Sequence, residues 1–200
     1  NMSPIEMASI YQSLSTNGFH NPLRSVFAVL DKNRQPLERY SLDVDNQVRP
    51  EAVALINSAL IDVTKYGTAK HLSKNLDIQV AGKTGTSDDL RDSWFAGFSG
   101  DVVAVVWTGF DDNRPTSLTG SSGAMKIWQK FIKDIAYKPY ELPEMDALEK
   151  VWIDGKNGLL TEKGCENALE LSFIKGTQPQ QHSPDCDLEG GSNWFFNLFN

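Results

Sequence analysis

The chain has 200 residues, 40% of them hydrophobic; a chain of this size buries roughly 70% of the surface its unfolded form exposes, which supports an ordinary core and excludes a disordered segment. Its 19 Lys and Arg against 26 Asp and Glu give a formal net charge of −7, the wrong sign for a nucleic-acid or anionic-membrane ligand, so those partner classes drop out. The longest apolar run, 102–107, is far short of the roughly 20 residues that span a bilayer, and no basic-then-apolar leader stands at the start.

Ser3-Pro4-Ile5-Glu6 predicts a helix start: the Ser3 hydroxyl caps the Glu6 amide, Glu6 bonds back, and Pro4 suits the first turn. Met7, Ile10, Tyr11 and Leu14 then recur at helical spacing, and Asn17-Gly18 tolerates the left-handed turn that ends a helix. Because the chain opens on Asn1 inside this helix start, it is read as a stretch of a longer protein, with anchor and address upstream. Segments 25–30 and 36–42, parted by a polar 31–35, predict a surface β-hairpin. Pro50 opens a second helix with Val53, Ile56, Leu60 and Val63 as its buried stripe and Gly67 at its end.

Three β-rich runs follow, 78–86, 93–98 and 102–109, and predict an antiparallel meander whose third run, apolar on both faces, is the central strand. Ala124, Ile127, Trp128, Phe131 and Ile135 mark a covering helix after Ser121-Ser122-Gly123. The fold class is therefore α+β, an antiparallel sheet covered by helices, over residues 1–136. Residues 137–175 read as a small β-rich appendage, and 176–200 as a polar tail ending in Trp194, Phe195, Phe196, Leu198 and Phe199.

Lys83-Thr84-Gly85-Thr86 is the one constellation with a mechanism attached. Set at the end of a β-run, it offers a positive charge, two hydroxyls for a carboxylate, and a glycine that lets a ligand approach the backbone. His20, His71 and His182 are scattered in polar contexts and read as solvated; Asp88, Asp89 and Asp92 with Arg91 read as a solvated turn; Trp94, Trp107 and Trp128 read as core. Cys165 and Cys186 lack the histidine spacing of zinc ligands, so no metal and no cofactor is expected. Those cysteines read equally as a disulfide or as two unrelated thiols, according to the compartment.

The motif does not stand alone. NMSPIEMASIYQSL, RPEAVALINSALIDVTKYGTA, AGKTGTSDDLRDSWFAGFSG and GSSGAMKIWQKF occur in the order, and near the spacing, found in class A high-molecular-weight penicillin-binding proteins, and the chain is most similar to their 1B type. The resemblance covers 1–136 well and the rest loosely. It implies the C-terminal part of a penicillin-binding transpeptidase domain, of the serine β-lactamase-like fold, within a bifunctional glycosyltransferase and D,D-transpeptidase that cross-links peptidoglycan stem peptides through a serine acyl-enzyme. Its implied partners are stem peptides, the lipid-linked precursor, β-lactam antibiotics and regulators of cell-wall synthesis; its implied location is the periplasmic side of the cytoplasmic membrane, where a Cys165 to Cys186 disulfide persists.

Carried over by residue, Lys83 holds the donor carboxylate and tunes the proton relay, Thr84 and Thr86 hydroxyls bind the same carboxylate, and Gly85 lets the peptide lie along the strand. The Thr86 amide supplies half of an oxyanion hole, and Gly67-Thr68-Ala69 matches a supporting segment near the site. This family also needs a Ser-x-x-Lys and a Ser-x-Asn before Lys-Thr-Gly. Here Ser172-Phe173-Ile174-Lys175 comes after it, in a β-like stretch, and Ser15-Thr16-Asn17 occupies a helix end and reads as capping. The nucleophile and its base are therefore expected upstream of residue 1. Two other readings share these features: a β-lactam hydrolase or penicillin sensor of the same fold, and a non-enzymatic interaction module.

Overall fold

The computed structural model describes residues 2–39, 44–46, 48–136 and 138–184. The chain divides into two units, Asn1–Leu142 and Pro143–Asn200.

In the first unit, α1 (Pro4–Ser15) starts as its capping signals dictate: the Glu6 carboxylate accepts from the Ser3 amide at 2.7 Å and from the Ser3 hydroxyl at 2.8 Å, and Ser3 Oγ caps the Glu6 amide. It ends on Asn17 (φ 57°) and Gly18 (φ 96°), where the Gly18 amide reaches the Ser13 carbonyl at 2.8 Å. The Ser15 hydroxyl donates to the Gln12 carbonyl at 2.8 Å, so Ser15 and Asn17 close a helix. After β1 (Phe19–His20) comes the exposed hairpin of β2 (Ala28–Leu30) and β3 (Pro36–Arg39), whose turn is organised by Asp31 accepting the Asn33 and Gln35 amides. The short β4 (Asp45–Asn46) then returns to pair with β1. His20 is half-buried with its Nδ1 3.2 Å from the Ser13 hydroxyl, and so is not the solvated residue expected.

Helix α2 (Pro50–Lys65) corrects the expected stripe. Its buried residues are Val53, Ala54, Asn57, Ser58, Ile61 and Thr64, while Ile56 is 45% exposed. The buried face is set by small and hydrogen-bonding side chains: Asn57 Nδ2 donates to the Leu14 carbonyl at 2.8 Å and to the Tyr140 hydroxyl at 2.7 Å, and Thr64 Oγ1 donates to the Ile61 carbonyl at 2.7 Å. The Asn57 amide nitrogen and the Thr64 hydroxyl are paired, which offsets much of the cost of burying them, so hydrophobicity alone misses the polar part of the face.

Beyond the short α3 (Leu72–Asn75), the strands β5 (Ala81–Thr86), β6 (Ser93–Phe98) and β7 (Val103–Thr108) form the expected antiparallel meander. The strand expected at the centre has a neighbour on one side alone among the described residues. Among the described residues β7 pairs only with β6, and Trp107 is 37% exposed, with its Nε1 donating to Asp92 at 2.9 Å. The centre is β6, which buries Ser93, Phe95, Ala96, Gly97 and Phe98. One sheet face carries Phe95, Ala104 and Val106 under Trp128 and Ile132 of α4 (Ala124–Ile135); the other carries Ala81, Phe98 and Val103 against Ile61, Tyr140, Tyr11 and Leu14. Phe95 and Trp128 pack with their rings tilted by 56° and centroids 4.8 Å apart, and the Trp128 indole donates to the Ala104 carbonyl at 3.0 Å.

The second unit is built on the antiparallel pair β8 (Leu148–Asp154) and β9 (Ala168–Ile174). Ser172 lies inside β9, in extended chain, so Ser172 and Lys175 share no helical turn. Buried Asp154 accepts from the Ser183 hydroxyl at 2.6 Å, the Lys156 amide at 2.9 Å and Asn157 Nδ2 at 3.0 Å. Residues 176–184, expected to begin a polar tail, are instead tied in: the Ser183 amide donates to Leu160, whose own amide donates to Gln181. Cys165 is disulfide-bonded; Cys186 and the apolar end with Trp194 lie outside the described residues.

Candidate active site

The motif occupies the C-terminal half of β5, with Lys83 opposite Ala96, Gly85 opposite Trp94 and Thr86 opposite Ser93 on β6. Ala81 and Gly82 are buried and anchor the strand, whereas Lys83 and Thr86 are exposed. Among the described residues β5 has no partner on its other side. An extended ligand can therefore use its free backbone groups as a further strand would.

The two hydroxyls of the motif are met from outside the strand, and its lysine from within. Lys83 Nζ donates to the Thr84 carbonyl at 2.8 Å and lies 3.5 Å from Thr84 Oγ1, which places an ammonium beside a hydroxyl at an open edge. Thr84 Oγ1 is 2.6 Å from Thr68 Oγ1, so the Gly67-Thr68-Ala69 segment meets the motif. Thr86 Oγ1 accepts from the Gly120 amide at 2.8 Å. An amide only donates, so the proton of the Thr86 hydroxyl is left to point elsewhere.

Gly120 reaches Thr86 because it has no side chain: a Cβ there would stand 2.6 Å from the Gly85 carbonyl oxygen and 2.9 Å from the Gly85 nitrogen. The loop that carries it is fixed by Ser93, fully buried, whose Oγ donates to the Thr119 carbonyl at 2.8 Å and accepts from the Ala124 amide at 2.9 Å. Neither Gly120 nor Ser93 was singled out in the sequence. The signal available was a Gly-Ser-Ser-Gly run before a helix, which reads as a loop and carries no address.

The acidic residues after the motif have separate tasks. Asp88 to Leu90 form a 3-10 turn in which Asp89 pairs with Arg91 at 3.2 Å, and Asp92 holds the Trp107 indole. Both Asp89 (φ 57°) and Leu90 (φ 56°) are left-handed, and the Leu90 carbonyl is held by the amide and the hydroxyl of Thr116 at 2.8 Å and 2.7 Å. No group of three or more His, Cys, Asp or Glu suited to a metal occurs among the described residues.

The model of the penicillin binding protein transpeptidase domain matches residues 1–133. Penicillin-binding protein 1B of Vibrio cholerae is 32% identical over 99% of this chain and 25% of its own length, and that of Escherichia coli is 32% identical over 94% of this chain and 22% of its own. The chain thus spans about a quarter of the curated relatives it matches. The crystal structure of penicillin-binding protein 1A from Haemophilus influenzae superposes with a TM-score of 0.79 at 22% identity, covering 91% of this chain and 33% of that one, a likeness of fold. With the matched residues taking in α1, α2, the whole β5 to β7 sheet and most of α4, the chain belongs to the penicillin-binding protein transpeptidase domain family.

Proposed function

We propose that this chain supplies the donor-binding strand of a serine D,D-transpeptidase that cross-links peptidoglycan stem peptides, in a longer protein that also carries a glycosyltransferase and a membrane anchor. The observation that carries the reading is the open edge of β5, where Lys83 Nζ and the hydroxyls of Thr84 and Thr86 are presented together. An ammonium and two hydroxyls are the donors a terminal carboxylate takes, and the same set takes the carboxylate of a β-lactam. With the donor's carboxylate fixed there, its scissile carbonyl lies along the strand, where the Thr86 amide is one oxyanion donor.

Among the described residues no helix is long and apolar enough to cross a membrane. In this reading the anchor, the nucleophilic serine, its lysine and the Ser-x-Asn group come from the rest of the protein, which works on the periplasmic side of the membrane. A serine without a base is a weak nucleophile, and a pocket without the serine forms no covalent product at all. The test is a fluorescent penicillin on a denaturing gel. The full-length protein should label and residues 1–200 alone should not; label on the shorter chain would mean that Ser15 or Ser172 is the nucleophile and would overturn the assignment.

A further inference from the structure

Thr68 stands outside the Lys-Thr-Gly-Thr motif, yet its Oγ1 is 2.6 Å from that of Thr84. Its position is set by backbone rather than by chance contact. The amides of Gly67 and Ala69 both bond the Val63 carbonyl at the end of α2, at 3.1 Å and 3.3 Å, and the Lys70 amide closes the turn onto the Gly67 carbonyl at 3.1 Å. Ala69 is fully buried in the core cluster with Leu72 and Trp128. At Gly67 a Cβ would meet the Val63 backbone at 3.0 Å. The exposed Thr68 hydroxyl is thus carried on a turn with little freedom to withdraw from the strand.

Proton bookkeeping gives this contact a direction. A hydroxyl has one proton and accepts through two lone pairs. Lys83 Nζ, which only donates, stands 3.5 Å from Thr84 Oγ1. If Thr84 gives its proton to Thr68, it has none for an anion. If Thr68 gives its proton to Thr84, Thr84 receives from both neighbours and turns its own proton outward, as Thr86 does while receiving from the Gly120 amide. A carboxylate accepts only, so its arrival selects the second arrangement, and a donor that is itself receiving a hydrogen bond is the stronger donor.

We propose that Thr68 is a positioning residue of the carboxylate pocket, aiming and polarising the Thr84 hydroxyl toward the bound anion. The proposal rests on the reading of β5 as the carboxylate-binding strand. It separates binding from chemistry: Thr68 acts on how well the anion is held before acylation, and not on attack by the serine.

The experiment uses the full-length protein with benzylpenicillin and with its methyl ester, measuring for each the pre-acylation dissociation constant and the limiting acylation rate. Thr68→Val should weaken binding of the acid by about 3- to 10-fold, the loss of one hydrogen bond, with the limiting rate unchanged. Thr68→Ser should restore it. The ester, with no anion to receive the proton, should not distinguish Thr68→Val from wild type. Equal losses for acid and ester would indicate a merely structural residue and overturn the proposal. Thr84→Val is the control: acid-selective loss in Thr84→Val with none in Thr68→Val overturns the role of Thr68 alone, whereas no acid-selective loss in either variant overturns the carboxylate pocket itself and the proposal with it.

Discussion

The Gly120 amide lies 2.8 Å from Thr86 Oγ1, at a point where a methyl group would be only 2.6 Å from the Gly85 carbonyl oxygen. The crowding atoms are backbone, so neither side can yield by turning a side chain. Gly120→Ala should push the loop away from β5 and release the Thr86 hydroxyl. The expected cost is about 1–3 kcal/mol of stability from overpacking, with a larger effect on acylation of the full-length protein by penicillin, a fall of at least about 10-fold. Acylation at the wild-type rate, measured by stopped-flow quenching, would show that the contact does not position the strand.

Lys83 behaves in the opposite way. It is exposed, and among the described residues its ammonium bonds within its own strand, to Thr84. Lys83→Ala should therefore leave the melting temperature within about a degree or two while slowing acylation by about 100- to 1,000-fold, the usual consequence of removing one preorganised charge-stabilising donor. A calorimetric scan and a penicillin time course on the same preparation decide it.

Asn57 is fully buried and serves α1 and the Tyr140 hydroxyl at once. Asn57→Ala removes one of the two donors to the Leu14 carbonyl, which keeps the Asn17 amide, takes the partner from that hydroxyl and opens a small void, at a cost of about 2–4 kcal/mol in urea denaturation. Burial raises the Tyr140 pKa, against the Asn57 bond, which lowers it. A raised value means that the phenol's contribution to stability is complete below its ordinary value of 10.0 and is lost as pH climbs from there through the folded one. Alkaline unfolding curves of Tyr140→Phe should lack that component.

What the sequence disclosed and what it hid divide along chemical lines. The start and stop of α1 were legible because Ser3, Glu6 and Gly18 act on neighbours a few residues away. The motif strand was legible from its residue types. The apolar part of the buried face of α2 was legible too, but its polar part was not, since Asn57 and Thr64 are interior by virtue of partners on α1, at Tyr140, at Val80 and in the helix itself, which no periodicity announces. Strand order is hidden for the same reason, because rank in a sheet is a relation between strands. Thr68 and Gly120 are 16 and 34 residues from the threonines they bond, and only folding brings them there.

In the second unit, Asp154 is held below the usual carboxylate value by the Ser183 hydroxyl first, then by the Lys156 amide. With the folded value depressed, the stabilisation is complete above the ordinary value of 3.8 and is lost as pH falls from there through the folded value. Asp154→Asn should show a shallower acid transition of this unit than wild type, followed by the Trp152 fluorescence between about pH 5 and pH 2. Identical acid limbs would remove Asp154 from the account.

Cys165 is disulfide-bonded, and the chain holds 2 cysteines, so the expected partner is Cys186. A loop of this length is worth roughly 3 kcal/mol in the chain-entropy model. Intact-mass measurement before and after reduction should show a gain of about two mass units, one hydrogen per sulfur. Alkylation of two thiols in the unreduced protein would contradict it.

The Ser93 hydroxyl joins the Thr119 carbonyl to the Ala124 amide inside a fully buried site. Helix ends ordinarily fray on their own, exchanging their first amides with deuterium early. Here the Ala124 amide is held by the same buried hydroxyl that holds the carbonyl of Thr119, the residue next to Gly120. Its exchange rate should therefore report how often the buried Ser93 link behind the motif strand opens, so one amide at the head of α4 becomes a clock for the far side of the ligand-binding edge.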